Sequence, residues 1–240
     1  MTDDVALDTR ADAPRPRRRG PIGRLDVDTI ARAGLTLAAR DGVSAITVRE
    51  LGKELRADPS AIYRHVGSKD GLMRILLDRL TGMIRAESAD EDDWRRFLLR
   101  NAEATLDVYL RYPAIGAEAL HLSTGGENEL GLVESILQAF RDAGLDRSQA
   151  AHYYGIYSLF VLSFAGGAAA VRARATEPDD GLWIELPQEV DADRHPRLAE
   201  TRDSLSELTD IEAFRSGLDL ILDSAAGAAR EGAAREGAAR

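Results

Sequence analysis

The sequence predicts an all-α fold, and two observations lead to that prediction. Apolar residues recur three and four positions apart along almost the whole chain, the spacing that places them on one face of a helix. No stretch alternates apolar and polar residues between turn signals, as a half-buried strand would. Cysteine is absent, which excludes disulfide frameworks and cysteine-based zinc sites.

A flexible basic arm is expected over residues 1–24. This segment has no apolar periodicity, and three prolines and two glycines interrupt it. Its acidic residues come first and are followed by a cluster that includes Arg17, Arg18 and Arg19. Such a tail can enter the minor groove of DNA or remain solvated, and the sequence leaves both possibilities open.

Three helices are predicted next. The first has an apolar stripe over residues 27–38. The second begins at Thr47, which together with Glu50 has the spacing of a capping box. A short turn at 56–58 leads to the third, whose first position is Pro59, where the missing N–H costs nothing. Two short helices with so tight a turn predict a helix-turn-helix.

The third predicted helix has an outward face that is polar and free of acidic residues. Its side chains are hydrogen-bond donors suited to phosphate oxygens or base edges. They are Ser60, Tyr63, Arg64 and His65, with Lys69 just beyond the helix. The helix is therefore a candidate for the major groove of DNA, and an ordinary helical hairpin with a solvated polar face is the alternative.

The net charge is distributed unevenly along the chain. The whole molecule carries −10 at neutral pH, which by itself argues against a nucleic-acid partner. Residues 14–69, however, contain 12 Arg and Lys against 6 Asp and Glu, a balance of +6, so the remaining residues carry −16. A basic end on an acidic body is expected when only that end approaches phosphate.

Further helices are predicted along the rest of the chain, each from an apolar stripe and a stop signal. Pro113 and Gly144 end two of them, and an N-cap pair beginning at Asp146 opens a long helix. The predicted stripes cover 72–84, 94–109 and 130–140, the long helix 146–174, and the last two helices 197–208 and 210–229. A proline- and acid-rich loop is expected at 176–196, and a low-complexity tail built on the repeat AAREG at 230–240.

The long helix contains no charged residue from Ser148 to Val171. That length would suffice for a membrane span, but the tyrosines, serines and glycines in it favour a fully buried central helix. Its small residues at 165–170 would let another backbone approach closely, which suits a subunit interface, and its aromatic side would line a cavity.

The stretch from Leu25 to about Met83 resembles the TetR-type repressors. The resemblance rests on the segments ARDGVSAITVRELGKEL and PSAIYRHVGSKDGLM, and in particular on the pattern Tyr63-x-His65 followed by Ser68-Lys69-Asp70. The segment FRSGLDLIL, at 214–222, is similar to the C-terminal half of the same family.

Two residues depart from the family pattern. Arg56 stands where these repressors commonly place a turn glycine, so the turn must avoid a positive φ or be strained there. Gly71 stands where a glutamate often completes the cap begun by Ser68, and its presence is expected to weaken the start of the fourth helix.

The resemblance implies a transcriptional repressor that binds a palindromic operator in double-stranded DNA as a homodimer, with two recognition helices about 34–36 Å apart. It implies a helix-turn-helix DNA-binding domain at 25–70 and a helical effector-binding and dimerisation domain at 71–229. The residues implied to contact phosphates are Thr47, Tyr63, His65 and Lys69. The residues implied to read bases are Arg49, Ser60, Ala61 and Arg64.

The resemblance also implies that a cavity in the helical domain binds a small effector, and that the helix at 69–86 transmits its presence to the recognition helices. The effector is expected to be mostly apolar, with a few polar anchors. The candidate lining residues are aromatic or polar: Trp94, Asn101, Tyr109, His121, Tyr153, Tyr154, Tyr157, Phe164 and Trp183.

Neither a cofactor nor a metal site is predicted, and the chain is not expected to be an enzyme. It lacks HExxH, GxSxG, GxGxxG and phosphate-binding-loop motifs, and Glu118-x-x-His121 has no second copy that would complete a two-metal site. An effector-independent DNA-binding dimer remains an alternative, as does a helical carrier or enzyme that uses Glu118, His121 and His152. With no apolar export signal near Met1, a cytoplasmic location without a membrane partner is expected.

Overall fold

The computed structural model describes residues 25–40, 46–89, 91–174 and 190–238. Every regular element in these ranges is helical, which confirms the predicted all-α class. The helices are α1 (Val27–Arg40), α2 (Val48–Leu55), α3 (Pro59–Val66), α4 (Lys69–Ser88), α5 (Trp94–Arg111), α6 (Pro113–Gly116), α7 (Glu127–Asp142), α8 (Arg147–Arg174), α9 (Pro196–Glu207) and α10 (Asp210–Ala238), with a 3-10 helix (Ala117–Leu120) after α6. The arm arginines 17–19 and Trp183 lie outside the described residues.

Two elements differ from the sequence-based expectation. The chain does not become irregular after α5, because Pro113, the predicted stop, is also the first residue of α6. α10 continues to Ala238 and so includes most of the predicted low-complexity tail. Alanine, arginine and glutamate are strong helix formers, which allows the repeats to extend a helix that is already nucleated upstream.

The first four helices share a small core. Ile30 of α1, Leu51 of α2 and Ile62 of α3 are fully buried, and Leu76 of α4 closes the core on its far side. Gly34 permits this packing, because a β-carbon at that position would lie 2.7 Å from a methyl carbon of Leu76. The first half of α4 is therefore packed directly on the helix-turn-helix.

The hydrophobic core continues around α8. Tyr157 is almost completely buried, and its ring meets the ring of Phe140 edge-on at a centroid distance of 6.1 Å. On another side of α8, Phe164 stacks on Phe214 of α10 at 4.4 Å. α8 is thus the helix onto which α5, α7 and α10 are assembled.

The expectation that α8 is fully buried is wrong for the chain by itself. Leu159 and Val171 are 71% and 56% exposed, because only part of the uncharged helix surface is needed for packing within the chain. Gly166 admits Leu120 of the same chain, so the small-residue segment is in part an internal contact, whereas Gly167 has open space beside it. In the described ranges, α8 is the one helix whose length and hydropathy would also suffice to cross a membrane.

Candidate nucleic-acid interface and internal cavity

The start of α2 is fixed by Thr47. Its Oγ1 accepts a hydrogen bond from the backbone N–H of Glu50 at 3.2 Å, as the capping box predicts. In a complete capping box the Glu50 carboxylate would accept a hydrogen bond from the backbone N–H of Thr47. Here Oε2 of Glu50 accepts a hydrogen bond from the Thr47 hydroxyl at 3.1 Å. The cap holds Thr47 and the next exposed residue, Arg49, at the N-terminal end of α2.

The turn between α2 and α3 depends on Arg56. This residue ends α2 with φ 51° and ψ 39°, in the left-handed region, and is the one non-glycine residue with a positive φ in the described chain. Of the two outcomes expected from the sequence, the structure shows the second: the turn keeps a positive φ, and the backbone of Arg56 is strained. Gly52 of α2 lies close to the backbone of this turn: a β-carbon at position 52 would be only 3.0 Å from the Ala57 oxygen.

α3 is capped at both ends. Asp58 Oδ1 accepts a hydrogen bond from the backbone N–H of Ser60 at 2.8 Å. Interaction with the Ser60 side chain, then this backbone hydrogen bond and the nearby Arg64, lowers the pKa of Asp58 below its usual value. At the other end Gly67, with φ 73°, donates its N–H to the Tyr63 oxygen at 2.8 Å. The inward side chains of α3, Ile62 and Val66, are buried, so the outward face of this helix is held in a defined orientation.

The start of α4 explains the second departure from the family pattern. Ser68 Oγ accepts from the N–H of Gly71 at 2.9 Å, so half of the cap is present. A β-carbon at Gly71 would lie 2.0 Å from the Val66 oxygen, a distance that no side chain can occupy. Glycine is therefore needed to bring α3 and α4 so close together, and no local sequence signal reveals this.

All eight predicted DNA-contacting residues outside the arm fall within one end of the molecule. They lie at the start of α2, along α3 and at the first position of α4. Seven of them are exposed, and Ala61 is half-buried. No acidic residue occurs between Pro59 and Lys69, and the exposed Lys53 adds a further cation to this end. The arrangement can place several donors against an anionic surface at once.

An internal cavity of about 90 Å³ lies between α4, α5, α7 and α8. Four of the nine candidate effector residues line it: Asn101, Tyr109, Tyr154 and Tyr157. Leucine, isoleucine and valine side chains form most of the remaining wall, and they come from α4, α7, α8 and the segment after the 3-10 helix. Burial raises the pKa of the Tyr109 and Tyr157 hydroxyls above the usual value, so both stay protonated at neutral pH.

The other candidates lie elsewhere. Tyr153 forms a hydrogen bond with Ser224 of α10 at 2.9 Å, and Phe164 also faces α10. His121 is exposed at the end of the 3-10 helix. Trp94 lines a separate, open cleft of about 680 Å³ between α4, α5 and α7. The structure therefore does not bring the eight described candidates together into one site.

One polar group in the cavity wall is incompletely satisfied. The hydroxyl of Tyr157 lies 2.7 Å from the backbone oxygen of Leu98 and 3.0 Å from Oδ1 of Asn101. Nδ2 of Asn101 is buried and has no hydrogen-bond partner within the described ranges. Buried amide groups are nearly always paired, so this position is suited to a bound polar group.

A polar junction that sequence reasoning missed connects α4 to the start of α7. Asp78 accepts hydrogen bonds from the Thr124 hydroxyl at 3.2 Å, from Asn128 Nδ2 at 2.9 Å and from the N–H of Glu129 at 3.1 Å. Gly126 allows this approach, because a β-carbon there would lie 2.3 Å from the Asp78 carboxylate. The pair of glycines at 125 and 126 was the available signal.

Glu129 extends the junction to the cavity, whose wall it helps to form. Burial pushes the pKa of Glu129 upward, but hydrogen bonds from Thr124, Gly125 and Ser123 more than offset this and leave the pKa below its usual value. The carboxylate is therefore ionised at neutral pH, next to an otherwise uncharged cavity.

Two family models match the chain. One, described as bacterial regulatory proteins of the tetR family, matches residues 30–75. The other, described as the tetracyclin repressor-like C-terminal domain, matches residues 87–226, more than half of the chain. The chain belongs to the TetR family. This confirms the resemblance inferred from the sequence and identifies a transcriptional regulator.

Similarity between this TetR-family chain and its relatives extends over most of its length. The tetracycline repressor class A from transposon 1721 of Escherichia coli is 29% identical over 210 residues, which cover 85% of this chain and 91% of that protein. The HTH-type transcriptional repressor DrrR1 of Streptomyces coeruleorubidus is 27% identical over 234 residues, which cover 92% of this chain and 85% of that protein. The crystal structure of apo ActR from Streptomyces coelicolor has the same fold, with a TM-score of 0.71 at 21% identity over 87% of this chain and 98% of that one.

Proposed function

We propose that this TetR-family protein is a cytoplasmic repressor that binds a near-palindromic operator as a homodimer and is released by a small effector. The observation that carries the proposal is the outward face of α3. Ser60, Tyr63, Arg64 and His65 are all exposed there, on a helix capped at both ends, and all can donate hydrogen bonds.

In the proposed complex α3 lies in the major groove. Ser60, Ala61 and Arg64 meet base edges, and Arg64 has the geometry to favour guanine. Arg49 reaches a base from the start of α2. The groups assigned to phosphate oxygens, as the family resemblance implies, are Thr47, Tyr63, His65 and Lys69, all of which are exposed. Arg17, Arg18 and Arg19 would add contacts from the arm, in the minor groove.

The proposed dimer uses the uncovered face of α8 and α10. Leu159 and Val171 on α8 and Leu220 on α10 are 71%, 56% and 72% exposed, although they belong to otherwise well-packed helices. Each would contribute about 25 cal/mol per Å² of apolar surface removed from water. Pairing of two copies through this face would fix the separation of the two α3 helices and hence the spacing of the operator half-sites.

The proposed effector acts by enlarging the cavity. Sites for drug-sized ligands typically measure about 300–1,000 Å³, so a ligand of that size must displace a wall of the 90 Å³ cavity. Leu77, Thr81 and Ile84 make one wall from α4, whose first half packs against the helix-turn-helix. A displacement of α4 would therefore change the separation of the α3 helices in the dimer.

A binding titration tests the proposal. A fluorescently labelled duplex from the DNA flanking the protein's own gene is compared with a shuffled duplex of the same composition at moderate salt. We expect the native duplex to bind at least about 1,000-fold more tightly, the lower end of specificity ratios for operator-binding proteins. A preference below tenfold contradicts the proposal. If the specific complex forms, adding metabolites to it distinguishes a repressor that an effector releases from one that acts without an effector.

The alternative of a helical carrier or enzyme gains little support. His121 and His152 are both exposed, one at the end of the 3-10 helix and the other on α8. Neither lines the internal cavity. No specific observation therefore favours catalysis by these residues.

A further inference from the structure

The open cleft of about 680 Å³ between α4, α5 and α7 has an aromatic wall and an acidic rim. Trp94 and Phe97, at the start of α5, form the aromatic part of the wall, and Leu132 of α7 adds to its apolar surface. Four carboxylates belong to the described lining, those of Glu91, Asp92, Glu134 and Asp142. The cleft is therefore negative as well as partly apolar.

Two of these carboxylates are free to meet a cation. Asp92 and Glu134 are exposed, and neither forms a hydrogen bond or an ion pair within the described ranges. Arg85 is the one basic residue of the described lining, and it lies against α7, where a β-carbon at Gly131 would be 2.5 Å from its Cζ. Aromatic faces beside unpaired carboxylates suit guanidinium groups, which stack on rings and pair with carboxylates at once.

The basic arm, residues 1–24, joins the described chain beside this cleft. Asp28, in the first turn of α1, forms an ion pair with Arg79 of α4. One and a half turns later in α1, Gly34 meets Leu76, which comes earlier in α4. α1 therefore runs antiparallel to α4, and its first residues lie toward the C-terminal half of α4, where the cleft is.

The arginines of the arm can reach the cleft. Gly82 and Ala86 of the cleft wall follow Arg79 by three and seven positions, so they share its face of α4. They lie only about 5 and 10 Å beyond it along the helix axis. Arginines 17–19 precede Leu25 by six to eight residues, a span of up to about 20–29 Å in an extended chain.

We propose that the arm binds in this cleft of its own chain when no DNA is present, with arginines 17–19 against the aromatic wall and the free carboxylates. The proposed function assigns the same arginines to the minor groove. Ala86 is about 25 Å along α4 from Lys69, which is assigned to phosphate, so one arm cannot serve both places at once. The cleft and DNA thus compete for the arm, and this consequence of docking rests on the proposed function.

The fluorescence of Trp94 tests the docking in the full-length protein. Trp183→Phe leaves Trp94 as the only tryptophan. Because the chain has no cysteine, Gly20→Cys then takes a single nitroxide label, which quenches tryptophan at near contact. We expect the label to quench at least about half of the emission at about 0.1 M salt and the emission to recover at about 1 M salt, where the Debye length falls from about 10 Å to about 3 Å. Quenching that is absent at low salt, or unchanged at high salt, overturns the proposal.

Charge variants distinguish docking from random contact of a tethered label. Asp92→Asn combined with Glu134→Gln should remove most of the quenching, and so should replacement of arginines 17–19 by glutamine. Asp107→Asn is the matched control, since it removes an exposed carboxylate of α5 that lies outside the cleft. Quenching that survives the loss of either set of charges overturns the proposal.

A mixture of two preparations tests whether the arm comes from another copy of the chain. One copy carries the label and Trp94→Phe, and the other is unlabelled and keeps Trp94, both with Trp183→Phe. We expect no quenching in this mixture. Quenching there would assign the cleft to the arm of a second copy and overturn the proposal.

Operator titrations on the unlabelled variants measure the competition. The variant with Asp92→Asn and Glu134→Gln should bind the operator at least about threefold more tightly than the wild type, the gain for an arm that is docked about two thirds of the time. Asp107→Asn should stay within about twofold, and the gain should vanish when arginines 17–19 are glutamine. An unchanged affinity in the cleft variant overturns the competition.

The two readouts keep this inference separate from the proposed function. If Trp94 is quenched as expected but no operator is bound, the proposed function fails and the docking stands. If the operator is bound but Trp94 is not quenched, only the docking fails.

Discussion

At the residue scale, the turn of the helix-turn-helix concentrates strain at one position. Arg56 adopts φ 51° without the freedom of glycine. Its side chain is exposed, so the conformation is imposed by the backbone of the turn and not by a side-chain contact. Left-handed backbone costs about 1–2 kcal/mol per residue when a β-carbon is present.

Arg56→Gly should therefore raise the free energy of unfolding, by up to about 1 kcal/mol once the greater flexibility of glycine in the unfolded chain is counted. Urea denaturation at equilibrium measures the change. Lys53→Gly is the control, because Lys53 is exposed within α2 and glycine there should lower stability by about 1 kcal/mol. A loss of stability in Arg56→Gly would show that the arginine side chain, not its backbone, supports the turn.

Arg49 and Lys69 should have separable effects on DNA binding. Arg49→Ala is expected to cost about 1–3 kcal/mol on the preferred operator and to relax selection at one base pair. Lys69→Ala should weaken binding to every duplex alike and reduce the slope of log affinity against log salt by about one unit. Titrations over a set of single-base operator variants, at several salt concentrations, distinguish the two outcomes. The opposite pattern would mean that the two roles are exchanged.

At the element scale, the polar junction between α4 and α7 links the cavity to the helix-turn-helix. Asp78 sits in the middle of α4 and receives three hydrogen bonds from the segment around the start of α7. Glu129, in the same segment, reaches the cavity wall. A change at the cavity can therefore act on α4 through polar contacts as well as through apolar packing.

Asp78→Ala should weaken this link without disturbing the surface of α3. We expect operator affinity to change less than about threefold, while the effector concentration for half-release rises at least about fivefold, the lower end of allosteric coupling. Anisotropy of the operator complex, titrated with an inducing ligand, measures both. Asp107→Ala removes an exposed carboxylate of α5 as a control. If Asp78→Ala leaves the effector concentration for half-release unchanged, the cavity acts on α4 through apolar packing alone.

Glu129 gives the junction a pH dependence. Its pKa is lowered in the folded chain by the hydrogen bonds it accepts, against the opposing effect of burial. Its contribution to stability is thus present above the unfolded pKa of 4.5 and is lost as pH falls through the lower folded pKa. Glu129→Gln should be less stable than wild type at pH 7, and the difference should shrink between pH 5 and pH 3. Thermal melts across this range measure it, and a constant difference would contradict the assignment.

How far sequence could predict each element depended on the range of the contacts involved. The caps at Thr47 and Asp58 were predictable because their hydrogen bonds span two or three residues. The junction around Asp78 was not, since its partners lie 46 to 51 positions away and no periodicity marks them. The cavity was half predicted: aromatic residues of α8 were expected to line it, but only contacts across helices decide which of them face α10 instead.

At the scale of the whole molecule, α8 and α10 leave apolar side chains uncovered by the packing of the described chain. Sequence indicated an uncharged helix and a basic end, but the fraction of α8 that stays exposed depends on the positions of α5, α7 and α10 around it. A face of this kind is typical of a surface that another macromolecule covers.

Leu159→Lys should convert the proposed dimer to a monomer, because it places a charge at the most exposed apolar position of α8. Light scattering coupled to size-exclusion chromatography gives the mass, and operator affinity should fall by at least about a hundredfold with the loss of the second half-site. Leu130→Lys, at a 59% exposed position of α7, is the control and should remain dimeric. A dimeric Leu159→Lys protein would place the interface elsewhere.

The long extension of α10 has a consequence for natural variation. Each AAREG unit, at 228–232 and again at 233–237, adds about 7.5 Å of helix at 1.5 Å per residue. Ala225 and Ala229 are the last buried alanines of α10 before residue 236, so the second unit begins beyond the core. Insertion or deletion of one such unit in the gene would therefore lengthen or shorten α10 and leave the packing around α8 unchanged.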